Sequence, residues 1–94
     1  MKPKFEIDDK IAVRYLNDYQ IFQIRRIVIT RIQIDYYDQW GIGYSETDLE
    51  EKMMTYKECH KLLEDKYEKE ILRTKATYDK AINFLGSLKF RDGK

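Results

Sequence analysis

The chain has 94 residues, 43% apolar and 37% charged, which fits a single globular domain with a highly charged surface, carries no hallmark of disorder and is shorter than a second independent core calls for. No apolar run approaches the roughly 18 residues of a membrane span, and the opening residues lack the apolar stretch of a secretory signal, so a cytoplasmic protein with no membrane attachment is expected. Cys59 is the only cysteine, which excludes an intrachain disulfide and a thiolate metal cluster within one chain. The net charge of +1 is unevenly spread, with +3 over residues 1–34, −5 over 35–52 and +3 over 53–94. Nucleic acid is not favoured as a partner, because neither basic end carries the concentrated excess that phosphate binding uses.

In chain order, residues 10–16 alternate, with Ile11, Val13 and Tyr15 on one side and Ala12, Arg14 and Leu16 on the other. This is the period of a half-buried strand. Asn17 and Asp18 supply a turn. Residues 21–34 hold seven Ile/Val and one Phe, a β-branched density that predicts one long strand. Its apolar phase changes partway, from Ile27 and Ile29 to Val28, Ile32 and Ile34, as in a strand that bends while a small sheet closes on itself. Residues 35–40 read as a polar-aromatic loop, 41–44 as a short strand and 52–54 as another. Thr55-Tyr56-Lys57-Glu58 then has the form of a capping box, which starts a helix at Tyr56. From there to Leu85 there is no glycine or proline, and Gly86 supplies the stop.

The segment Phe5-Glu6-Ile7-Asp8-Asp9-Lys10-Ile11-Ala12-Val13 resembles the first strand of SH3-like barrels of the Tudor and KOW type, with Asp8 where that pattern prefers glycine. The resemblance implies an α+β domain: a small antiparallel SH3-like β-barrel over residues 1–55, then one long C-terminal α-helix with a short tail over 56–94, part of the same domain. The layout also resembles small accessory proteins of Gram-positive bacteria and their phages.

Two groups of residues are candidates for a ligand or partner. Tyr36, Tyr37, Trp40 and Tyr44 crowd into nine residues, either as an aromatic surface for cations and bases or as rings completing a small core. Arg14, Arg25 and Arg31 form, at most, a three-guanidinium patch for phosphate or carboxylate; the alternative is ordinary solvated charge. Cys59 and His60 diverge by about 100° on a helix and cannot act as a pair. No catalytic, cofactor-binding or metal-ligating set stands out, because Asp8-Asp9 and Glu50-Glu51 lack metal-ligand spacing and Gly41 and Gly43 alone do not make a phosphate loop.

A helix over residues 56–85 would be about 45 Å long against a barrel about 20–25 Å across. Tyr56, Cys59, Leu62 and Leu63 suit docking on the barrel. Beyond them Tyr67, Ile71, Thr74, Tyr78, Ala81, Leu85 and Leu88 recur in four-three spacing, the seam of a coiled coil, so a homo-oligomer is expected; the alternative is a helix that folds back on its own barrel. The functional expectation is a noncatalytic module, not an enzyme, that oligomerises through this helix and binds a protein or a nucleotide-like anionic ligand through the barrel. The alternative is a phage-encoded anti-defence protein that inhibits a bacterial immune enzyme or sequesters its nucleotide signal.

Overall fold

The computed structural model describes residues 2–91. The elements in order are β1 (Lys10–Tyr15), β2 (Asp18–Gln23), β3 (Arg26–Ile29), β4 (Ile34–Tyr37), β5 (Gly43–Ser45), α1 (Glu46–Lys52), α2 (Tyr56–Glu68) and α3 (Lys75–Leu85). Strands β1 and β2 form a two-stranded antiparallel ribbon, and β3-β4-β5 form a separate three-stranded antiparallel sheet. There is no closed barrel among the described residues; the single long C-terminal helix is replaced by two, α2 and α3, and a third, α1, lies in the stretch expected to be barrel.

The barrel fails to close for two reasons, one local and one long-range. The long strand expected over residues 21–34 is broken twice. Arg25 and Arg26 both stand opposite Tyr37, with the Arg25 amide donating to the Tyr37 carbonyl at 2.8 Å, and this bulge turns the chain out of the ribbon and into the second sheet. Residues 30–33 then form a tight hairpin held by the Thr30 amide on the Gln33 carbonyl at 2.9 Å and by the Thr30 hydroxyl. The residues expected to be an aromatic loop therefore begin as strand β4. The second reason is that the outer edge of β1 is already taken. The Ala12 amide donates to Lys89 at 3.2 Å, the Ala12 carbonyl accepts from Met54 at 2.9 Å, and Lys89 donates back to Lys10 at 2.7 Å. Met53 contributes only an isolated bridge to Val13, where a strand over 52–54 was expected; Lys52 ends α1 instead.

The ribbon separates two cores. Ile11, Val13, Phe22 and Ile24 point into one, with Phe5, Ile34, Tyr36, Leu49 and Met53. Ala12 points into the other, with Met54, Cys59, Leu63, Leu85, Leu88 and Phe90, while Tyr19 and Ile21 pack against it. The strand expected to be half-buried is thus buried on both faces through Ile11, Ala12 and Val13.

Helix α1 begins on Ser45, whose hydroxyl accepts from the Asp48 amide at 3.2 Å, and ends under Arg91, whose guanidinium donates to the carbonyls of Glu50 at 3.0 Å and Glu51 at 2.5 Å. A cation on the orphan carbonyls of a helix end is favourable. Helix α2 starts where the capping box placed it. Thr55 Oγ1 accepts from the Glu58 amide at 3.1 Å, and the Glu58 carboxylate accepts from the Thr55 amide at 3.0 Å.

The helix then stops at Glu68, far short of Leu85. The Glu70 amide donates to Tyr67 at 3.2 Å and the Ile71 amide to Lys66 at 2.9 Å, with Glu70 at φ 63°. These two bonds and the left-handed residue make a Schellman stop with glutamate where glycine is usual. A left-handed L-residue costs about 1–2 kcal/mol. That cost is offset by what the reversal permits: Thr74 caps α3 through the Thr77 amide at 3.1 Å, Leu72 packs on the second core, and Tyr67 stacks on Tyr78 with centroids 4.8 Å apart. Helix α3 folds back on α2 and delivers Leu85 and Leu88 to the second core.

Replacing Glu70 by glycine tests the reversal through the sign of its effect. It should stabilise by about 0.5–1 kcal/mol in urea denaturation, because glycine adopts positive φ without the Cβ penalty. In a continuous helix the same substitution would destabilise by about 1 kcal/mol.

Candidate functional site

The aromatic group divides along the alternation of β4 and β5. Tyr36 and Tyr44 are cross-strand partners on the inner face. Tyr36 is fully buried, meets Phe5 edge-on at 5.4 Å, donates its hydroxyl to Glu46 at 2.5 Å and accepts from the Lys4 amide at 3.1 Å. Burial, and then the hydrogen bond to Glu46, push its hydroxyl up to about 12. Tyr44 is half-buried, with Phe22 at 5.7 Å on one side and the Lys52 ammonium at 5.1 Å on the other. These two rings are structural.

Tyr37 lies on the opposite, outer face, where it covers Gly43 so closely that a Cβ at Gly43 would collide with the ring. The Arg26 guanidinium sits 4.2 Å above that ring. The result is an outer-face stack of arginine on tyrosine on glycine, and it offers a cation with no carboxylate in ion-pair range among the described residues.

Trp40 belongs to neither face. It stands at the tip of the β4–β5 turn and is 62% exposed. The turn is rigidly built. Asp38 is buried, and its side-chain oxygen is satisfied there by the amides of Trp40 at 2.9 Å and Ile42 at 2.8 Å. The Asp38 amide donates to Ile42 at 2.9 Å, and the Asp38 carbonyl accepts from Gly41 at 3.1 Å. Gly41 takes φ 81°, completing a three-residue hairpin loop that needs glycine at its left-handed position. Gln39, also in the loop, turns its side chain to the ribbon, accepting from the Gln23 amide at 3.1 Å and donating to the Ile21 carbonyl at 3.2 Å. The indole is therefore displayed on a fixed mount, with Ile42 also 49% exposed beside it in sequence.

The arginine patch does not assemble. Arg14 on β1 pairs with Glu58 at 2.7 Å, and Glu58 is held below the usual carboxylate range first by the Thr55 amide and then by Arg14. Arg14 thus braces the start of α2 against the ribbon. Arg25 pairs with Asp8 at 3.0 Å. Arg31 is exposed in the β3–β4 turn, at the other end of β3 from Arg25.

The residues expected to form an oligomer seam are distributed over the helical hairpin of one chain. Leu85 and Leu88 are buried in the second core, Tyr78 and Ala81 pack against it, Tyr67 stacks on Tyr78, and Thr74 is a helix cap. Three of the seven stay exposed: Tyr67 at 39%, Ile71 at 65% and the cap Thr74. Cys59 is buried, and His60 reaches Glu64 through Nδ1 at 2.8 Å. The described residues contain no His/Cys/Asp/Glu group able to hold a metal ion, and none of their helices is long and apolar enough to cross a membrane.

Sequence reasoning does not single out Arg26, and it misses the role of Asp38. The second had a visible signal in Asp38-Gln39-Trp40-Gly41, an acceptor followed three residues later by glycine. Comparison with protein-family models, curated proteins and solved structures gives no match.

The Tyr36 hydroxyl makes a pH prediction. Its folded value lies above the ordinary value of 10, so its contribution to stability is present below pH 10 and is lost as the pH rises toward about 12. Urea unfolding across this range should show a steeper loss for the parent chain than for Tyr36→Phe. Parallel curves would contradict the buried hydrogen bond.

Proposed function

We propose that this chain is a noncatalytic binding module that engages a protein partner through the β4–β5 turn, with Trp40 as the anchor. The observation that carries this reading is the exposure of the only tryptophan in the chain on a turn fixed by the Asp38 carboxylate. A solvated indole loses the burial of about 150–250 Å² that a ring of this kind ordinarily contributes. Tryptophans that anchor interfaces are of this type: large, amphipathic, and held so that little conformational entropy is lost on docking.

Ile42 is a second exposed apolar residue at this turn, and Gln39 ties the turn to the ribbon, so the indole moves with the body of the protein. The helix-mediated oligomer is not part of this reading, since the seam it required is largely spent inside the α2–α3 hairpin.

Trp40→Ala should leave the thermal midpoint nearly unchanged, because the ring fills no core. The same substitution should remove the proteins that the parent chain captures from its own cells. In the parent chain, indole emission should be that of a water-exposed ring and should shift to the blue when a captured partner is added back. A loss of stability near the 3–5 kcal/mol of a core aromatic truncation, or identical capture by both chains, would overturn the proposal.

A further inference from the structure

The edges of the two sheets are treated differently. The outer edge of β1 is occupied by Lys89 and Met54, and part of the β2 edge is capped by the side chain of Gln39. Strand β3 has a neighbour only on its β4 side. The Thr30 amide bonds to Gln33, and pairing runs Arg26 to Tyr37 and Val28 to Asp35, so Arg26 and Val28 turn their backbone groups to β4. Alternation then turns those of Ile27 and Ile29 outward. Neither residue has a further backbone or side-chain hydrogen-bond partner among the described residues. Along β3, Ile27 packs partly on the first core, while Ile29 is 53% exposed and Ile32, in the turn beyond, is 83% exposed.

The charge at this edge decides what it accepts. Arg26 stands at one end of β3 and Arg31 just past the other, about 15 Å apart along the chain, and neither forms an ion pair among the described residues. A second copy added at this edge would bring Arg26 and Arg31 of both chains to one seam with no carboxylate in ion-pair range of any of them among the described residues, and like charges gathered along a strand pair destabilise it. Arginines at a sheet edge thus discourage self-pairing. Arg26, stacked on Tyr37, still has its N–H edge without a carboxylate, and Arg31 has no ion pair, so both favour a strand with carboxylates at its ends, to which a guanidinium donates two parallel hydrogen bonds.

We infer that the free edge of β3 is a strand-addition site for an extended peptide segment with an apolar, β-branched centre and acidic residues at both ends, gripped by the backbone of Ile27 and Ile29 and by Arg26 and Arg31. The site is separate from the Trp40 turn and does not rest on it.

A fluorescein-labelled seven-residue peptide of alternating valine and threonine with glutamate at both ends tests this directly, beside a lysine-ended counterpart. The glutamate-ended peptide should bind, should slow amide exchange at Ile27 and Ile29, and should lose at least tenfold in affinity in the Arg26→Glu, Arg31→Glu double variant. The double variant should gain affinity for the lysine-ended peptide. Arg31→Glu alone, in an exposed turn, should weaken binding with the melting curve unchanged, which separates recognition from folding. Trp40→Ala should leave peptide affinity unchanged, so this site and the turn succeed or fail independently. Absence of binding, binding without protection of those two amides, or protection that rises with protein concentration in the absence of peptide, which would mark a second copy as the occupant, would each overturn the proposal.

Discussion

A strand with apolar layers on both faces must satisfy its backbone at both edges without water, and β1 meets this demand through Ala12. Its amide and carbonyl hold Lys89 and Met54 respectively, while its partner edge is bonded along the full length of β2. The side chain at this crossing is a methyl group with no exposure. A small side chain there lets the C-terminal segment and the entry to α2 approach the strand together, and unpaired backbone in such a place would cost several kcal/mol. The order of layers follows from this crossing. With its outer edge filled, the ribbon has no place for a strand of the second sheet, so that sheet packs on one face and the helical hairpin on the other.

The hairpin depends on the same point. Lys89 reaches β1 only because the chain reverses at Glu70, caps α3 on Thr74, and brings Leu85 and Leu88 back toward Cys59 and Leu63. A straight helix from Tyr56 would carry Lys89 far from Lys10. The ion pairs between ribbon and α2, Arg14 with Glu58 and Lys66 with Asp18 at 2.7 and 2.6 Å, are partly exposed and each contributes at most about 1 kcal/mol. They set the orientation of α2, and apolar burial on both faces of the ribbon supplies the stabilisation.

Where local chemistry decides, the sequence was legible. The Thr55 to Glu58 box and the Gly86 cap each rest on residues within four positions of one another; the turn after β1, expected at Asn17 and Asp18, falls one residue earlier, at Leu16 and Asn17, with Asp18 already paired to Tyr15. Barrel closure was not legible, because the competitor for the β1 edge lies at Lys89, at the other end of the chain. The helix break was hidden for a different reason: Glu70 is a good helix former, and its left-handed conformation is imposed by packing of Leu72, Tyr67 and Tyr78. The candidate site was partly legible. The aromatic run was visible, and Trp40 is its exposed member. Two of its rings became core, because strand β4 extends into the expected loop and alternation sends Tyr36 and Tyr44 inward. The arginine patch depended on one continuous strand over residues 21–34, and the bulge at Arg25 and the turn at Arg31 break that strand.

Native-state hydrogen exchange at the amides of Ala12, Met54 and Lys89 tests most directly whether one crossing holds the two cores together. If it does, these three amides exchange only through global unfolding, with the free energy and denaturant dependence of the whole chain, alongside the β1–β2 amides. Exchange of Lys89 and Ala12 at markedly lower free energy, with the α2–α3 hairpin detaching while the ribbon and the three-stranded sheet stay protected, would contradict this account.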